Sequence, residues 1–295
     1  MLKAGKRKPV EYRHQRFRLS FGRTQVMGIV NVTPDSFSDG GKFHDPAAAA
    51  THAMALVEQG ADIIDIGGES SRPGAEPTTV EEELARVIPV IRALVKAIPD
   101  TPISIDTYKP LVAQAAMAEG AAMINDISGL RDPAMAALAA KSGAPAVVMH
   151  MKGTPKSMQN RPAYSDVVAE VKSFFKERIR TLTRMGVEKI ILDPGIGFGK
   201  TANHNLQLLN RLEEIVAFGY PVLVGLSRKS FIGKALGENI TDRETGGVVA
   251  NAIAIAKGAR IIRVHDAVLG TQTALMADCI RLGKKQVDRR GPTGP

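Results

Sequence analysis

Eight short apolar runs, each followed by a stretch with helical spacing, constrain the fold of this chain more than any other feature. The runs occupy Val26–Asn31, Ala61–Ile66, Pro102–Asp106, Ala121–Asn125, Ala144–His150, Lys189–Asp193, Tyr220–Gly225 and Arg260–Val264. They are nearly continuous in apolar residues rather than alternating, which is typical of strands buried on both faces of a parallel sheet. Eight strand–helix units predict an α/β fold, the (β/α)8 TIM barrel. The structural alternative is an open, doubly wound parallel sheet.

The barrel is predicted to be a single domain over residues 24–283, and a chain of 295 residues has the usual length for one such domain. Residues 1–23 form a basic N-terminal extension, in which a short strand and turn are predicted over residues 17–24. Residues 284–295 are predicted to be a flexible C-terminal tail.

Capping signals mark the predicted helix boundaries. Thr79 followed by Glu82 has the spacing of a capping box, and Asp132 before a proline suits a helix start. We expect the sixth helix to begin near His204 and the last at Asp266. Glycines follow the helical stretches where a left-handed cap is wanted, at Gly60, Gly120, Gly143, Gly186, Gly219, Gly258 and Gly283.

The net charge of +9 does not indicate a nucleic-acid-binding protein. Residues 1–23 carry eight Lys/Arg against one Glu, and residues 281–295 carry five against one Asp, which leaves residues 24–280 with a net charge of −2. Aromatic residues make up only 4% and Trp is absent, so no platform for stacking bases is evident. We therefore expect no nucleic-acid partner.

The chain is expected to be a cytoplasmic protein without a membrane partner. No apolar run approaches the roughly 18 residues of a membrane-spanning helix, and no apolar signal segment follows the first charges. The single cysteine, Cys279, excludes an internal disulfide and suits a reducing compartment.

Polar residues fall at the end of nearly every predicted strand. They are Asn31, Asp65, Glu69, Asp106, Asn125, Asp126, His150, Asp193, Ser227, Arg228, Lys229, Arg263 and His265. In a (β/α)8 barrel the chemistry lies at the C-terminal strand ends and in the loops that follow them. Each residue alone fits a helix cap or a loop hydrogen bond, but together they predict one polar site.

Three loops extend this predicted site. The first two, residues 33–41 and 67–74, are long and rich in small residues, as expected of loops that close over a substrate. The third, residues 193–200, is dense in glycine but does not match a nucleotide-binding loop, since Pro194 stands where the pattern requires Gly. Phe198 within it suggests an aromatic stacking surface.

Metal ligands are sparse in the sequence. His150 and His265 lack a nearby cluster of His, Cys or Glu, so we expect no structural zinc. Asn31 with nearby carboxylates and a phosphate would suit a mostly hydrated Mg²⁺.

The motifs resemble those of the dihydropteroate synthases. The matching segments are Met27–Gly41, Asp65–Gly74, Ser104–Thr107, Ile124–Asp126, Met149–Met151, Ile191–Lys200, Gly225–Ser230 and Arg263–His265. They follow in the expected order, and the set is far more specific than any one of them. One departure is Ser71, where the family pattern usually has Thr. The hydroxyl is kept and one methyl is lost, which predicts about 1 kcal/mol less apolar contact.

The resemblance implies a transferase of folate biosynthesis. Its reaction joins 6-hydroxymethyl-7,8-dihydropterin diphosphate to p-aminobenzoate and yields 7,8-dihydropteroate and diphosphate. The expected substitution is dissociative: diphosphate leaves first, and the amine then attacks a cation-like methylene. The resemblance also implies a homodimer, and sulfonamides as inhibitors because they resemble p-aminobenzoate.

The resemblance carries residue roles to matching positions. The implied catalytic residues are Asp106, Lys229 and Arg263. The implied pterin-binding residues are Asp106, Asn125, Met149, Asp193 and Lys229. The implied diphosphate-binding residues are Asn31, Arg72, Arg263 and His265, with Mg²⁺ at Asn31. The implied p-aminobenzoate-binding residues are Ser71, Arg72, Pro73, Phe198, Lys229 and Ser230, and the loop-closure residues are Asp35 and Phe37.

Two other functions are compatible with parts of this pattern. A pterin-dependent methyltransferase would share the barrel and the pterin-binding residues, but it has no need of the cations at Arg263 and His265. A catalytically silent pterin-binding paralogue would share the fold without the reaction.

Overall fold

The computed structural model describes residues 10–33, 46–72, 74–237 and 243–285. The described strands are β1 (Glu11–His14), β2 (Phe17–Ser20), β3 (Gln25–Asn31), β4 (Ile63–Gly67), β5 (Ile103–Asp106), β6 (Met123–Asp126), β7 (Ala146–Met149), β8 (Ile190–Asp193), β9 (Leu223–Gly225) and β10 (Ile261–Val264). The described helices are α1 (Pro46–Glu58), α2 (Val80–Ala97), α3 (Pro110–Ala118), α4 (Pro133–Ser142), α5 (Val167–Arg184), α6 (Ala202–Asn210), α7 (Glu213–Val216), α8 (Ser230–Leu236), α9 (Glu244–Ala256) and α10 (Ala267–Leu282).

Strands β3 to β10 form one parallel sheet in the order β8-β7-β6-β5-β4-β3-β10-β9. The sheet closes on itself where Leu192 of β8 pairs with Val222, just before β9. The Leu192 amide also donates to the Pro221 carbonyl at 2.9 Å. This strand pairing has the fewest paired residues in the sheet, and it completes the barrel. The predicted (β/α)8 TIM barrel is therefore confirmed, and the open doubly wound sheet is wrong.

The barrel strands are buried on both faces because helices cover them outside and side chains fill them inside. Every residue of β4, β6, β7 and β8 is buried. An inner apolar cluster fills the N-terminal end of the barrel and consists of Tyr12, Leu19, Phe21, Met27, Ile63, Met123, Val147, Ile191, Leu223 and Ile261. That end is a packed core, which leaves the opposite end for a site.

The short N-terminal extension is a β-hairpin. Strands β1 and β2 pair antiparallel, so the structure contains a strand before the one expected at Phe17. Tyr12 of β1 packs into the inner cluster, and its hydroxyl donates to the Ile190 carbonyl at 2.7 Å. The hairpin therefore covers the N-terminal end of the barrel.

Most predicted helix boundaries are confirmed. Thr79 and Glu82 form the capping box of α2, and Asp132 and Asp266 accept amide hydrogen bonds at the starts of α4 and α10. All seven glycines named as helix terminators have positive φ. No helix within the described ranges is long and apolar enough to cross a membrane.

The start of α6 was predicted too late. The helix begins at Ala202 rather than near His204. The hydroxyl of Thr201 accepts from the His204 amide, and His204 Nδ1 accepts from the Thr201 amide, both at 3.2 Å. Histidine thus takes the place of the Glu or Gln that identifies a capping box in a sequence.

Candidate active site

Four polar side chains meet at the C-terminal strand ends, which we call the mouth of the barrel. Arg263 Nε donates to Asp65 Oδ2 at 2.6 Å, and its Nη2 donates to Asp106 Oδ2 at 2.7 Å. The Asn125 amide donates to the same Asp65 oxygen at 2.9 Å. These residues come from β4, β5, β6 and β10, so the chain brings distant strand ends into one hydrogen-bonded group. Asp106, Asn125 and Arg263 lie together, as their strand-end positions predict.

Asp65 is the fully buried member of this group. Its second oxygen, Oδ1, is buried without a hydrogen-bond partner. Sequence reasoning placed it at a strand end but gave it no role. The signal in the sequence is a carboxylate inside the apolar run Ile63–Gly67. A buried carboxylate is costly unless it has a polar partner, so this position indicates a functional or paired group.

The carboxyl groups of the mouth are shifted toward neutral pH. Burial raises the pKa of Asp106 to about 7, against the opposing effect of the Arg263 charge. Burial likewise raises the pKa of Asp193 to about 6, although its Oδ1 accepts from the Gly195 amide at 2.7 Å. Strongly shifted carboxyl groups in one cleft are typical of functional sites.

Lys229 supplies a cation beside these carboxyls. Burial and the Arg263 charge together lower its pKa to about 8, while Asp193 and Asp106 oppose the shift. Its Nζ lies 4.0 Å from the centroid of the Phe198 ring, a cation–π contact. Asp193, Lys229 and Phe198 are therefore neighbours at one side of the mouth.

An apolar cluster lies next to these charged groups. It consists of Ile127, Met149, Met151 and Met158, with Tyr108 and Phe198 packed against it. Methionine and aromatic side chains of this kind suit a flat heteroaromatic ligand. Met149 and Phe198, both predicted site residues, belong to the same surface.

Further cations lie around His265. His265 Nδ1 is 3.0 Å from Ser227 Oγ. Burial lowers the pKa of His265 to about 4, and the charges of Arg228, Arg263, Lys229 and Arg72 act in the same direction. A neutral imidazole among several cations is an arrangement suited to an anion.

Hydrogen bonds and an ion pair to Glu69 hold the loop that carries Ser71 and Arg72. Tyr108 donates to Glu69 Oε1 at 2.7 Å, and the Thr78 amide donates to Glu69 Oε2 at 3.0 Å. Lys109 pairs with Glu69, and its Nζ is 2.5 Å from Oε2 of Glu83. Ser71 is half-buried and Arg72 is exposed, and the Arg72 charge acts on His265 at the mouth.

Two predicted residues lie at the edges of the mouth. Ser230 is exposed and begins α8 next to Lys229. Asn31 is half-buried at the end of β3, beside Gly67 of β4 in the register. Three predicted residues, Asp35, Phe37 and Pro73, lie outside the described residues, as does most of the predicted C-terminal tail.

The described residues provide little for a metal ion. Within those ranges no group of three or more His, Cys, Asp or Glu could hold one. The amide oxygen of Asn31 is a hard ligand of the kind that Mg²⁺ accepts. This chemistry fits a largely hydrated ion with one protein ligand, and it does not fit a dedicated protein cage.

Comparisons with known proteins agree on one family. A family model described as pterin binding enzyme matches residues 27–265. The dihydropteroate synthase of Synechocystis sp. is 49% identical over 262 residues, which cover 88% of this chain and 90% of that protein.

Two solved structures are closely similar to this chain. A Yersinia pestis dihydropteroate synthase in a sulfonamide drug complex matches with a TM-score of 0.87 and 43% identity, over 93% of this chain and 100% of that chain. A Xanthomonas albilineans dihydropteroate synthase with 4-aminobenzoic acid matches with a TM-score of 0.83 and 45% identity, over 92% and 96% respectively.

Proposed function

The chain belongs to the dihydropteroate synthases of the pterin-binding enzyme family, and from that premise we propose how its mouth carries out the reaction. A dihydropteroate synthase is a transferase of folate biosynthesis. It condenses 6-hydroxymethyl-7,8-dihydropterin diphosphate with p-aminobenzoate to give 7,8-dihydropteroate and diphosphate. The pterin-dependent methyltransferase is not favoured, because the relatives of this chain are dihydropteroate synthases over most of their length.

The observation that carries the assignment of roles is the shared hydrogen-bonded group of Asp65, Asp106, Asn125 and Arg263. A pterin offers the amino and ring N–H donors of its pyrimidine edge and a carbonyl oxygen. Carboxylates at Asp106 and Asp193 accept from that edge, and the amide of Asn125 can both donate to it and accept from it. Lys229 donates to the carbonyl oxygen, and Met149 lies against the ring.

Arg263 and His265, together with Arg72 and Asn31, form the diphosphate site in this proposal. The cations around His265 support it, since a diphosphate carries several negative charges. Mg²⁺ would be held by Asn31 and would supply neutralisation of charge on the leaving diphosphate. The remaining oxygen ligands would come from water and substrate.

Phe198, Lys229, Ser230 and the loop residues Ser71 to Pro73 form the p-aminobenzoate pocket. The contact between Lys229 and Phe198 supports it, because an aromatic face beside a cation suits an aromatic carboxylate. Sulfonamides, which resemble p-aminobenzoate, are expected to compete for this pocket. Ser71 lacks one methyl relative to the usual Thr, which reduces apolar contact there.

The residues of the mouth favour a dissociative substitution. Arg263 and His265 stabilise the negative charge that develops on the departing diphosphate. The Asp106 carboxylate stabilises positive charge on the pterin methylene. The neutral amine of p-aminobenzoate then forms the new C–N bond and releases one proton.

Measuring the reaction itself tests this proposal and excludes a silent paralogue. We expect the protein with the pterin diphosphate, p-aminobenzoate and Mg²⁺ to release diphosphate and dihydropteroate in equal amounts. Diphosphate release without formation of dihydropteroate, with both substrates present, would contradict the proposed transfer. Absence of both products would leave a pterin-binding protein without this activity.

We also propose that a second copy of the chain covers an apolar face on α9 and α10. Met276 and Ile280 of α10 are 63% and 71% exposed, and Val249 and Ile253 of α9 are also exposed. A groove between the two helices is lined almost entirely by uncharged residues. A two-fold dimer would bury this face of each chain against the same face of the other.

Light scattering tests the dimer. We expect the mass of two chains for the wild type and of one chain for Ile280→Glu. Leu111→Glu places the same charge on α3, at a residue 62% exposed, and is expected to leave the mass unchanged. A wild type with the mass of one chain would refute the dimer.

A reducing cytoplasm is the compartment that we propose, because the only cysteine is the free Cys279.

A further inference from the structure

Lys200 ends the glycine-rich loop 193–200, and its ammonium group is enclosed by acceptors. Its Nζ lies 2.9 Å from the carbonyl oxygens of both Gly195 and Phe198 and 3.2 Å from that of His150. A fourth acceptor, His150 Nδ1, is 3.0 Å away. Lys200 is only 3% exposed. A buried ammonium group is costly unless its N–H groups are satisfied, and here the loop itself supplies the acceptors.

The loop folds tightly against the segment that follows β7. Gly195 and Gly199 have φ values of +66° and +59°. A Cβ at Gly195 would lie 1.9 Å from the His150 carbonyl oxygen, and one at Gly199 would lie 2.4 Å from that of Lys152. The two backbones are too close for a side chain at Gly195 or Gly199. The loop is therefore held at these positions by polar contacts and not by packed side chains.

The carbonyl groups of the loop are bonded from several sides. Gln159 donates to the Gly197 carbonyl at 2.9 Å, and Tyr164 donates to the Gly199 carbonyl at 2.7 Å. Lys200 connects the carbonyls of Gly195 and Phe198, on either side of the tip of the loop. Its side chain therefore fixes the turn from which Phe198 projects.

We propose that Lys200 is a positioning residue whose ammonium group holds the Gly195–Phe198 turn, so that Phe198 and Lys229 are aligned to receive p-aminobenzoate. The inference rests on the proposed function, which assigns Phe198 and Lys229 to that pocket. All four acceptors around Lys200 belong to the protein, so it acts through the loop rather than on substrate. Ordering the pocket before binding lowers the conformational cost of binding.

Opposing electrostatic effects set the charge on Lys200, and its ammonium form predominates below about pH 7. Burial lowers its pKa to about 7, while the nearby Asp193 carboxylate opposes that shift. Burial and the Lys200 charge lower the pKa of His150 far below its ordinary value, so the imidazole is neutral. Its Nδ1 can then accept from the ammonium group.

Lys200→Met tests the proposal, because it keeps the unbranched side chain up to the position of Cε and removes the ammonium group. We expect the KM for p-aminobenzoate to rise at least about tenfold, with a much smaller rise in the KM for the pterin diphosphate. We also expect faster hydrogen exchange of the amides in residues 195–199, measured by mass spectrometry. Lys172→Met is the control. It makes the same chemical change on α5, where Lys172 Nζ lies 2.7 Å from Oε2 of Glu214 on α7 in a surface ion pair.

Chemical rescue separates positioning from general stability. In Lys200→Ala, n-propylamine replaces the missing atoms and their charge, and we expect it to restore the KM for p-aminobenzoate, whereas n-propanol should not. Equal changes in both KM values, unchanged exchange in the loop, or loss of the fold in both variants would each overturn the proposal. If the wild type makes no dihydropteroate, the proposed function fails, and the exchange measurement still tests how Lys200 holds the loop.

Discussion

At the scale of single residues, the defining feature is one guanidinium shared by two carboxylates. Arg263 contacts Asp65 and Asp106, and a pterin that bonds to Asp106 must compete with or complement that contact. In the proposed mechanism, the charge on Asp106 has two partners in turn: the arginine before binding and the reacting methylene afterwards.

Asp106→Asn is expected to lower kcat by about 100-fold or more, because the amide keeps the shape of the carboxylate but not its charge. Steady-state kinetics and circular dichroism would show lost turnover in a folded protein. Asp132→Asn makes the same chemical change at the cap of α4, where Asn also caps well, and should keep full activity. Near-normal kcat in Asp106→Asn would remove that residue from the mechanism.

The pH dependence of kcat/KM for the pterin diphosphate is expected to be bell-shaped. As pH falls through about 7, Asp106 gains a proton and loses its charge, and as pH rises through about 8, Lys229 loses its proton. The limits belong to the coupled group rather than to either residue alone. Lys229→Arg should remove the alkaline limb, because arginine stays protonated. A profile that stays flat from acid to alkaline pH would contradict both assignments.

At the scale of elements, two glycines show separate reasons for the lack of a side chain: the backbone conformation and the space around it. Gly143 ends α4 with φ +63° and open space around it, whereas Gly195 has φ +66° and lies against the His150 carbonyl. The two glycines share a conformation and differ in their surroundings, so comparing them separates strain from steric overlap.

Gly143→Ala is expected to lower the free energy of unfolding by about 1 kcal/mol, the cost of a left-handed conformation. Gly195→Ala should cost more than about 3 kcal/mol, because the loop must also move away from His150. Urea denaturation measures both values, and activity should fall only in Gly195→Ala. Equal losses of stability would show that the loop can shift freely.

The elements were largely predictable from the sequence, and the contacts at the mouth were not. Apolar runs identify the eight strands because burial on both faces leaves a composition signal. The start of α6 was missed because His204 takes an unusual part in its cap. The bond between Asp65 and Arg263 joins residues 198 positions apart, and local spacing carries no record of such a pair. In sequence, a lysine after glycines resembles a surface residue, and only the folded loop shows that Lys200 is buried.

At the scale of the whole molecule, the two ends of the barrel serve different purposes. The N-terminal hairpin seals one end through Tyr12 and its inner cluster, and the ionisable groups occupy the other. Changes at the sealed end should therefore alter stability without altering the reaction.

Tyr12→Phe is expected to lower the free energy of unfolding by about 1–2 kcal/mol, because the buried Ile190 carbonyl loses its donor. The KM values and kcat should stay within about twofold of the wild type, since the mouth lies at the far end of the strands. Denaturant unfolding and steady-state assays of the same preparation compare the two effects. A large fall in kcat without loss of stability would show that the two ends are coupled.

The narrow closure between β8 and β9 has a consequence for how the enzyme responds to its ligands. Asp193 is the last residue of β8, and Lys229 lies in the segment after β9, so a pterin bonded to both as proposed would span the part of the wall with the fewest backbone bonds. In this proposal, pterin binding would strengthen the barrel wall where the fewest backbone hydrogen bonds join neighbouring strands. Binding of the pterin would then also raise the resistance of this part of the barrel to local unfolding.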